Sequence, residues 1–370
     1  MIPSLLADHE ETTEHSLLWR MMRGTLFQLS AEKAHNLAIL GLKQWQSLGA
    51  NRPSHSQWTR HPSLKTTRWG LDFPNPVGLA AGLDKDAQAV LGFQALGFGF
   101  LEVGTVTPRP QSGNPTPRLF RVKSDRAIIN RMGFNNDGVD ALIRRMERYR
   151  ASGKLQVPVG VNIGKNADTP IEKAAEDYLT CFQKARHVSD YIVVNVSSPN
   201  TKNLRTLQLA ENLSGLLMTL QNENQKGQSL PLLLKLSPDL SKERAFKSVE
   251  IAQKAGFEAV IISNTTVERP GASQTQHLGA GGLSGAPLFE SSTSKLASLV
   301  NHFADSSLDF VGVGGIMSGK DAEAKCLAGA VLLQVYTGFV YGGPSFAAQL
   351  CAHLAQSQRL LKGPAEPVEK

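Results

Sequence analysis

Cysteine is scarce in this chain of 370 residues, and long apolar runs are missing. Its three cysteines, Cys181, Cys326 and Cys351, fall in stretches with helical spacing, and none stands in a pair typical of a metal or redox site. No apolar run approaches the roughly 20 residues that span a bilayer. The sequence therefore predicts a globular protein of a reducing compartment, without a transmembrane helix.

Motifs of hydrolytic and metal chemistry are missing too. There is no HxxxH spacing, no GxSxG elbow and no paired-carboxylate site, so we expect no metal and no hydrolase. The net charge of +7 permits attraction to phosphate or anionic lipid, but the basic residues are scattered, and we expect no nucleic-acid partner. Acidic residues near the start of the chain argue against a signal or transit peptide and favour a bacterial-type cytoplasm; they are Asp8, Glu10, Glu11 and Glu14.

Short apolar runs alternate with longer amphipathic stretches through most of the chain. The apolar runs span residues 75–82, 98–107, 157–164, 191–198, 231–238, 259–266, 309–316 and 330–338. The clearest amphipathic stretches span residues 86–97, 138–152, 171–187, 241–256 and 345–361. Strict alternation of strand and helix predicts right-handed crossovers and a parallel sheet. Eight such units favour an α/β fold closed as a (β/α)8 TIM barrel over an open doubly wound sheet.

The pattern divides the chain into a small N-terminal helical segment at 1–50, a linker at 51–74, the barrel at 75–361 and a C-terminal tail at 362–370. Two helices are expected in the first segment, at 17–29 and 31–48, with Ser30 capping the second and Gly49 ending it. The first has an apolar stripe of Leu17, Leu18, Met21, Met22 and Leu26 beside Arg20 and Arg23. Such a stripe suits either a membrane surface or the protein core, and both interpretations stay open.

Polar residues gather at the C-terminal ends of the apolar runs, which meet on one face of a barrel. Glycines at 312–316 and 335–338 offer amides for a phosphate, although glycines also permit tight turns. Lys85 and Lys235 would be costly on the inner rim unless they met an anion or a ligand. Several asparagines nearby suit a ring whose edge alternates N–H and C=O groups, although any one of them could cap a turn.

Nine of these stretches together resemble the class 2, quinone-dependent dihydroorotate dehydrogenases. They are AAGLDKD (80–86), VGTVTPRPQ (103–111), NRMGFNN (130–136), NIGKN (162–166), NVSSPNT (195–201), SNTT (263–266), GGLSG (281–285), GVGGI (312–316) and VYTGF (335–339). The resemblance implies a flavoprotein that oxidises (S)-dihydroorotate to orotate with FMN and passes the electrons to a membrane quinone. It also implies the redox step of pyrimidine biosynthesis, at the cytoplasmic side of the bacterial inner membrane, with peripheral contact through the N-terminal helices.

The resemblance further assigns roles to residues. FMN contacts are expected from Ala81, Gly82, Leu83, Asp84, Lys85, Thr105, Asn162, Asn195, Lys235, Ser263, Gly285, Gly315, Tyr336 and Thr337. Substrate contacts are expected from Lys85, Asn130, Arg131, Met132, Gly133, Phe134, Asn195, Asn200, Asn264 and Thr265. Ser198 is expected to be the catalytic base that removes a proton from C5 of dihydroorotate, because class 1 relatives have cysteine there. Lys202 and Asn203 replace the usual Pro-Gly of the family, which leaves the closing motion of this loop open.

Three other functions remain open at this point. A soluble class 1 enzyme using fumarate or NAD is disfavoured by Ser198 and by the N-terminal helices. A flavin barrel that modifies tRNA is permitted by the net charge of +7, but the sequence lacks a basic strip with interleaved aromatics. A non-catalytic scaffold fits poorly with so many polar residues at the strand ends.

Overall fold

Eight parallel strands close into a barrel in this computed structural model, which describes residues 19, 21–49, 56–269 and 278–362. In chain order, the barrel strands β1 to β8 are Val77–Leu79, Phe100–Val106, Val159–Ile163, Tyr191–Asn195, Leu232–Leu236, Ala259–Ile262, Asp309–Val313 and Leu332–Val335. Each strand pairs in parallel with its neighbour along the chain, and β8 pairs with β1. The predicted (β/α)8 barrel is confirmed, with each strand inside its predicted run.

Besides a helical stretch at residues 21–26, ten α-helices are described, numbered here in chain order. They are α1 Ala31–Ser47, α2 Val90–Ala95, α3 Val139–Ala151, α4 Ala174–Ala185, α5 Ala210–Asn224, α6 Lys242–Lys254, α7 Phe289–His302, α8 Gly319–Leu327, α9 Thr337–Gly342 and α10 Phe346–Lys362. All five predicted amphipathic stretches contain one. The first is shorter than predicted, because Asp84 accepts hydrogen bonds from the amides of Gln88 and Ala89 and holds that part of the chain in a loop.

Apolar side chains are buried on both faces of the barrel strands, as their near-continuous Val, Ile and Leu predict. Those that point outward join the inner faces of the helices in one large core, which includes Leu101, Val161 and Ile192. Those that point inward at the N-terminal end of the barrel form a second cluster with Phe100 and Tyr191. This inner cluster fills the lower half of the barrel, so space for a ligand is left at the opposite, C-terminal end.

The expected linker is more structured over residues 56–74 than its composition suggests. A 3-10 turn at Pro62–Leu64 leads into a hairpin of strands Thr66–Arg68 and Leu71–Phe73. Phe73 is fully buried and meets the ring of Phe100 edge to face at a centroid distance of 5.4 Å. The hairpin therefore closes the N-terminal end of the barrel, because Phe100 is the first residue of β2.

A second departure from the expected pattern lies over the C-terminal end. Strands Leu119–Val122, Ala127–Asn130 and Gly282–Gly285 form an antiparallel sheet that the sequence did not predict, hereafter the mouth sheet. Its strands come from the loops after β2 and β6, so two distant parts of the chain are joined above the barrel.

The N-terminal helices lie against this end of the molecule. Residues 21–26 are helical, and α1 begins where predicted, with the amide of Lys33 donating to the hydroxyl of Ser30. Arg23 Nη1 donates to the carbonyl of Tyr341 at 2.8 Å. Leu17, Leu18 and Arg20 of the predicted apolar and basic stripe lie outside the described residues, as do residues 50–55, 270–277 and 363–370.

Candidate active site

A cavity with about 1040 Å³ of empty space, partly open to solvent, lies between the C-terminal ends of the barrel strands and the mouth sheet. Most residues that sequence analysis assigned to the site line it. They are Ala81, Gly82, Lys85, Thr105, Asn130, Met132, Gly133, Phe134, Asn195, Ser198, Asn200, Lys235, Ser263, Asn264, Thr265, Gly285, Gly315, Tyr336 and Thr337. We call this space the polar cavity.

Four assigned residues do not line the polar cavity. Leu83 and Asp84 face the space between α1 and the barrel, and Asp84 is occupied with the loop amides before α2. Asn162 is fully buried beneath the cavity, among side chains of neighbouring strands. The guanidinium of Arg131 donates to backbone carbonyls at Leu278 and Ala280. A direct ligand contact therefore has no support from the position of these four side chains.

A buried charge cluster forms the floor of the polar cavity. Glu102 of β2 is completely buried, and its Oε1 lies 3.4 Å from the Nζ of Lys235 on β5. The same Oε1 accepts from Asn162 Nδ2 at 2.7 Å, while Oε2 accepts from Gln334 Nε2. Glu102 thus balances the charge of Lys235 and keeps the lysine in place at the cavity wall.

Amide and hydroxyl groups continue this network across the cavity. Asn195 Nδ2 donates to Thr105 Oγ1 at 2.9 Å, and Thr105 in turn donates to Asn162 Oδ1. Asn264 Nδ2 donates to Ser197 Oγ at 2.9 Å. Because these side chains hold one another, they are oriented before any ligand arrives.

Lys85 is the cation of the cavity that has no carboxylate partner. Its Nζ donates to Asn135 Oδ1 at 2.5 Å, and it forms no ion pair within the described part of the chain. Burial, and to a lesser degree the Arg118 guanidinium, lower the pKa of Lys85 to about 8. The carboxylates of Asp86 and Glu32 act in the opposite direction, but neither forms an ion pair with Lys85. A partly buried ammonium without an ion-pair partner favours the binding of an anionic ligand.

Ser198 lies on the loop after β4 and is almost fully buried. Its Oγ accepts from the amide of Asn200 at 3.2 Å, and the Asn200 side chain donates to Asn130 Oδ1 at 2.9 Å. Ser198, Asn200 and Asn130 therefore come together from two loops that are far apart in sequence. The arrangement fixes the hydroxyl beside amides that can recognise a polar ring.

Further along the same loop, Asn203 adopts the left-handed backbone conformation, with φ of 57°. Asparagine is the side chain that tolerates this region best after glycine. The replacement of the family's usual glycine by Asn203 is therefore compatible with the same loop shape. Lys202, which replaces the proline, is exposed to solvent.

Three glycines with positive φ border the cavity after the mouth sheet and β7: Gly285 at 99°, Gly314 at 100° and Gly315 at 76°. At Gly315 an added Cβ would lie 2.2 Å from Phe289 Cα, so only glycine fits. Close to them, Ser284 Oγ and Thr337 Oγ1 are hydrogen-bonded at 2.8 Å. The backbone amides and hydroxyls of these loops suit a phosphate group.

A second cavity, with about 1460 Å³ of empty space that is also partly open, lies between the N-terminal helices and the barrel. Its walls are almost entirely apolar, with Leu26, Ala34, Ile39 and Leu42 from the helices, and we call it the apolar cavity. It shares three wall residues with the polar cavity: Leu119, Ile128 and Tyr336. One layer of side chains therefore separates the two cavities.

Sequence analysis missed several residues that line the two cavities or support their walls. Glu102 and Gln334 interrupt apolar strand runs with a polar side chain, and that interruption is the signal that could have identified them. Asn114, which donates to the carbonyl of Asn200 at 3.1 Å, lies in a loop with no comparable signal. His35 lies on the wall of the apolar cavity. In the sequence it is a single histidine on a helix face, and a histidine that contacts a ligand cannot be distinguished there from one that only packs in the core.

Metal and membrane features were also searched in the described part of the chain. No group of three His, Cys, Asp or Glu side chains there is arranged to hold a metal ion. None of the described helices is long and apolar enough to cross a bilayer.

Comparison with known proteins identifies the family. A sequence profile described as dihydroorotate dehydrogenase matches residues 63–357. A protein of Burkholderia thailandensis named dihydroorotate dehydrogenase (quinone) is 47% identical over 349 residues, which cover 93% of this chain and 99% of the relative. One of the same name from Burkholderia cenocepacia is 46% identical over 349 residues, with the same coverage.

Solved structures agree with this assignment. The fold matches a crystal structure of the dihydroorotate dehydrogenase of Eimeria tenella in complex with ferulenol, with a TM-score of 0.82 and 36% identity over 91% of this chain and 95% of the other. A ligand-free form of that protein matches with a TM-score of 0.79 at the same identity, over 86% and 94% of the two chains. The chain therefore belongs to the dihydroorotate dehydrogenase family, in the quinone-dependent class that its sequence motifs resemble.

Proposed function

We propose that this protein oxidises (S)-dihydroorotate to orotate with FMN in the polar cavity and passes the electrons to a membrane quinone in the apolar cavity. The observation that carries the proposal is the pair of cavities of opposite character with shared walls at Leu119, Ile128 and Tyr336. A redox group near that wall would be accessible to a polar substrate from one side and to an apolar acceptor from the other. The reaction would be the redox step of pyrimidine biosynthesis.

The residues of the polar cavity fit FMN. The Gln334 Oε1 and Thr265 Oγ1 atoms are buried without a hydrogen-bond partner among the described residues. Both can therefore form hydrogen bonds with polar groups of a bound ligand. Gly285, Gly315 and Thr337 would hold the phosphate, and Lys235 with Asn195 would meet the flavin ring. When bound, FMN supplies an acceptor for a hydride and a donor of electrons to a quinone.

On the substrate side, Lys85 would bind the carboxylate of dihydroorotate. Asn130, Asn195, Asn200 and Asn264 offer the donors and acceptors that match the alternating edge of its ring. Lys85 must be protonated to hold an anion, and burial lowers its pKa to about 8. A bound carboxylate would raise this pKa, so substrate affinity should weaken as the pH rises above about 8.

Ser198 would remove the proton from C5 of the substrate through its Oγ. A serine hydroxyl is a weak base, so Ser198 would have to pass its own hydroxyl proton onward, toward solvent, as its Oγ takes the C5 proton. It must also act from a fixed position in a closed site. The hydrogen bond from the Asn200 amide supports such a position, because it orients the hydroxyl oxygen. The loop that carries Asn203 would cover the site while the substrate is bound.

The N-terminal segment, proposed as a unit over residues 1–50, would deliver the quinone. Large apolar side chains are exposed on its described part: Met21 69%, Met22 50%, Leu37 49%, Leu40 49%, Trp45 41% and Leu48 85%. This face suits the interface of a membrane, where a long-tailed quinone dissolves. We propose peripheral contact with the cytoplasmic side of the bacterial inner membrane.

Anaerobic spectroscopy of the FMN-loaded protein tests the function directly. Dihydroorotate should bleach the flavin absorbance, and a short-chain quinone should restore it, while fumarate and NAD should not. Restoration by fumarate or NAD at the quinone rate would assign the protein to the soluble class, and a flavin that dihydroorotate does not bleach would contradict the substrate.

Ser198→Ala should slow flavin reduction by dihydroorotate by about 10²- to 10⁴-fold, because the variant lacks the group that accepts the C5 proton. Stopped-flow measurement of bleaching gives this rate. Orotate affinity is the control, and we expect it to change little, since Lys85 and the asparagines remain. Reduction of the variant at the wild-type rate would show that another residue is the base.

Gly41→Phe should obstruct the apolar cavity. Gly41 lines this cavity, and an added Cβ there meets nothing within 4 Å, so the ring can enter the space without a clash. Re-oxidation of reduced flavin by a long-chain quinone should slow severalfold, while reduction by dihydroorotate keeps its rate.

Gly24→Phe is the matched control, because Gly24 is equally open but does not line the cavity. Equal quinone rates in Gly41→Phe, Gly24→Phe and the wild type would show that the apolar cavity is not the route of the acceptor.

A further inference from the structure

Lys325 is a completely buried lysine outside the polar cavity, on α8 between β7 and α7. Its Nζ donates to Ser292 Oγ at 2.6 Å and lies 3.4 Å from the carbonyl of Val313. It forms no ion pair with a described carboxylate. Asp321, one turn earlier on α8, is held instead by the amide of Met317 and the hydroxyl of Ser318.

Lys325 is connected to the phosphate loop through one side chain. Ser292 Oγ, which accepts from Lys325, lies 3.1 Å from the carbonyl oxygens of both Gly314 and Phe289, and its one hydrogen can be donated to either. Both carbonyls belong to the contact between the glycine loop and the first turn of α7. Gly314 and Gly315 are pressed against the first turn of α7, where an added Cβ at Gly315 would overlap Phe289. The ammonium group also lies 5.7 Å from the centre of the Phe289 ring. Lys325 thus stands behind the loop whose front faces the polar cavity.

The charge of Lys325 is poorly compensated by the described residues around it. Burial lowers its pKa to about 7, and the weaker effect of Asp321 acts in the opposite direction. The facing elements β7 and α7 contribute the Val313 carbonyl, the Ser292 hydroxyl and the Phe289 ring, which carry no full charge. Helix α10, which also packs on α8, contributes the buried thiol of Cys351 and His353, and His353 is paired with Glu323 of α8 at 2.7 Å. A nearby anion would therefore stabilise the charged form of Lys325, and the neighbouring glycine loop is suited to a phosphate dianion.

We propose that Lys325 is a positioning residue for the FMN phosphate, which it serves by bracing Gly314 through Ser292 and by taking up a proton as the dianion binds. The inference rests on the proposed binding of FMN and adds the residue that makes phosphate recognition dependent on pH. It predicts that this protein distinguishes FMN from riboflavin less well in alkaline solution.

The direction of this pH dependence follows from the linkage between proton binding to Lys325 and FMN binding. In the flavin-free protein Lys325 loses its charge as the pH rises through about 7, and a bound dianion raises its pKa. FMN binding above pH 7 therefore requires proton uptake and weakens as the pH rises. Lys85 also titrates near pH 8, but it faces the ring side of the cavity and affects FMN and riboflavin alike. The ratio of the two affinities isolates the phosphate.

The experiment measures the affinities of the flavin-free, full-length protein for FMN and riboflavin by fluorescence quenching. For the wild type, the ratio of FMN to riboflavin affinity should fall about tenfold between about pH 7 and 8.5, close to the limit for one proton. In Lys325→Met, which keeps the apolar stem, the ratio should be low at pH 7 and flat with pH. Lys320→Met, at an exposed site on α8, should behave like the wild type.

Ser292→Ala provides a second test that leaves the lysine in place. It should lower the ratio and retain its pH dependence, because only the link to Gly314 is lost. A wild-type ratio that is constant over this pH range overturns the proposal, and so does a Lys325→Met protein with the wild-type ratio and slope. A wild-type protein that binds neither flavin would contradict the proposed function instead.

Discussion

The buried ion pair between Glu102 and Lys235 ties the floor of the polar cavity together. Through Asn162 and Gln334 it connects β2, β3, β5 and β8, so four strands meet at one carboxylate. Removing both charges from water is expensive, and the two amides that donate to Glu102 offset part of this penalty. From Asn162 the arrangement continues upward through Thr105 to Asn195, so the orientation of these side chains depends on it.

The ion pair also makes the two sides of the cavity differ in charge. Lys235 is neutralised from below by Glu102, whereas Lys85, on the other side, has an amide as its partner. Positive charge without an ion-pair partner is therefore found at two places. One is Lys85, where the substrate carboxylate is proposed to bind, and the other is Lys325, behind the glycine loop that is proposed to bind the phosphate. The residues proposed to hold the flavin lie between these two positions and above a floor of balanced charge, which would suit a group that gains and loses electrons.

Much of the fold could be predicted because the alternation of apolar runs with amphipathic stretches determines the order of strands and helices. Eight apolar runs became eight strands, and their polar ends converged on one face, as parallel crossovers require. The mouth sheet could not be predicted in this way, since Gly282–Gly285 pairs with Ala127–Asn130 across more than a third of the chain. The hairpin that carries Phe73 was hidden by the polar composition of the residues around it.

The residues of the candidate site could likewise be predicted only in part. Asn195, the last residue of β4, lines the cavity as expected, because strand direction fixes its position. Lys85 lines it too, from the loop after β1. Arg131 and Asp84 were assigned from the resemblance to stretches that do line the site. The Asp84 side chain, however, binds the amides of its own loop, and the Arg131 side chain binds carbonyls of a distant segment at Leu278 and Ala280. Glu102 escaped notice because a single carboxylate in an apolar run shows its partners only in three dimensions.

The flavin midpoint potential of Glu102→Gln tests most directly whether this pair sets the charge of the site. The substitution keeps the shape, and Gln334 can turn its unpartnered Oε1 toward the new amide. With Lys235 no longer balanced, the negative charge that reduction adds to a flavin is stabilised. The potential should therefore rise by several tens of millivolts, on the order of 2 kcal/mol for two electrons. Glu258→Gln, at the opposite end of the barrel, should leave it unchanged. An equal or lower potential in Glu102→Gln would contradict the account.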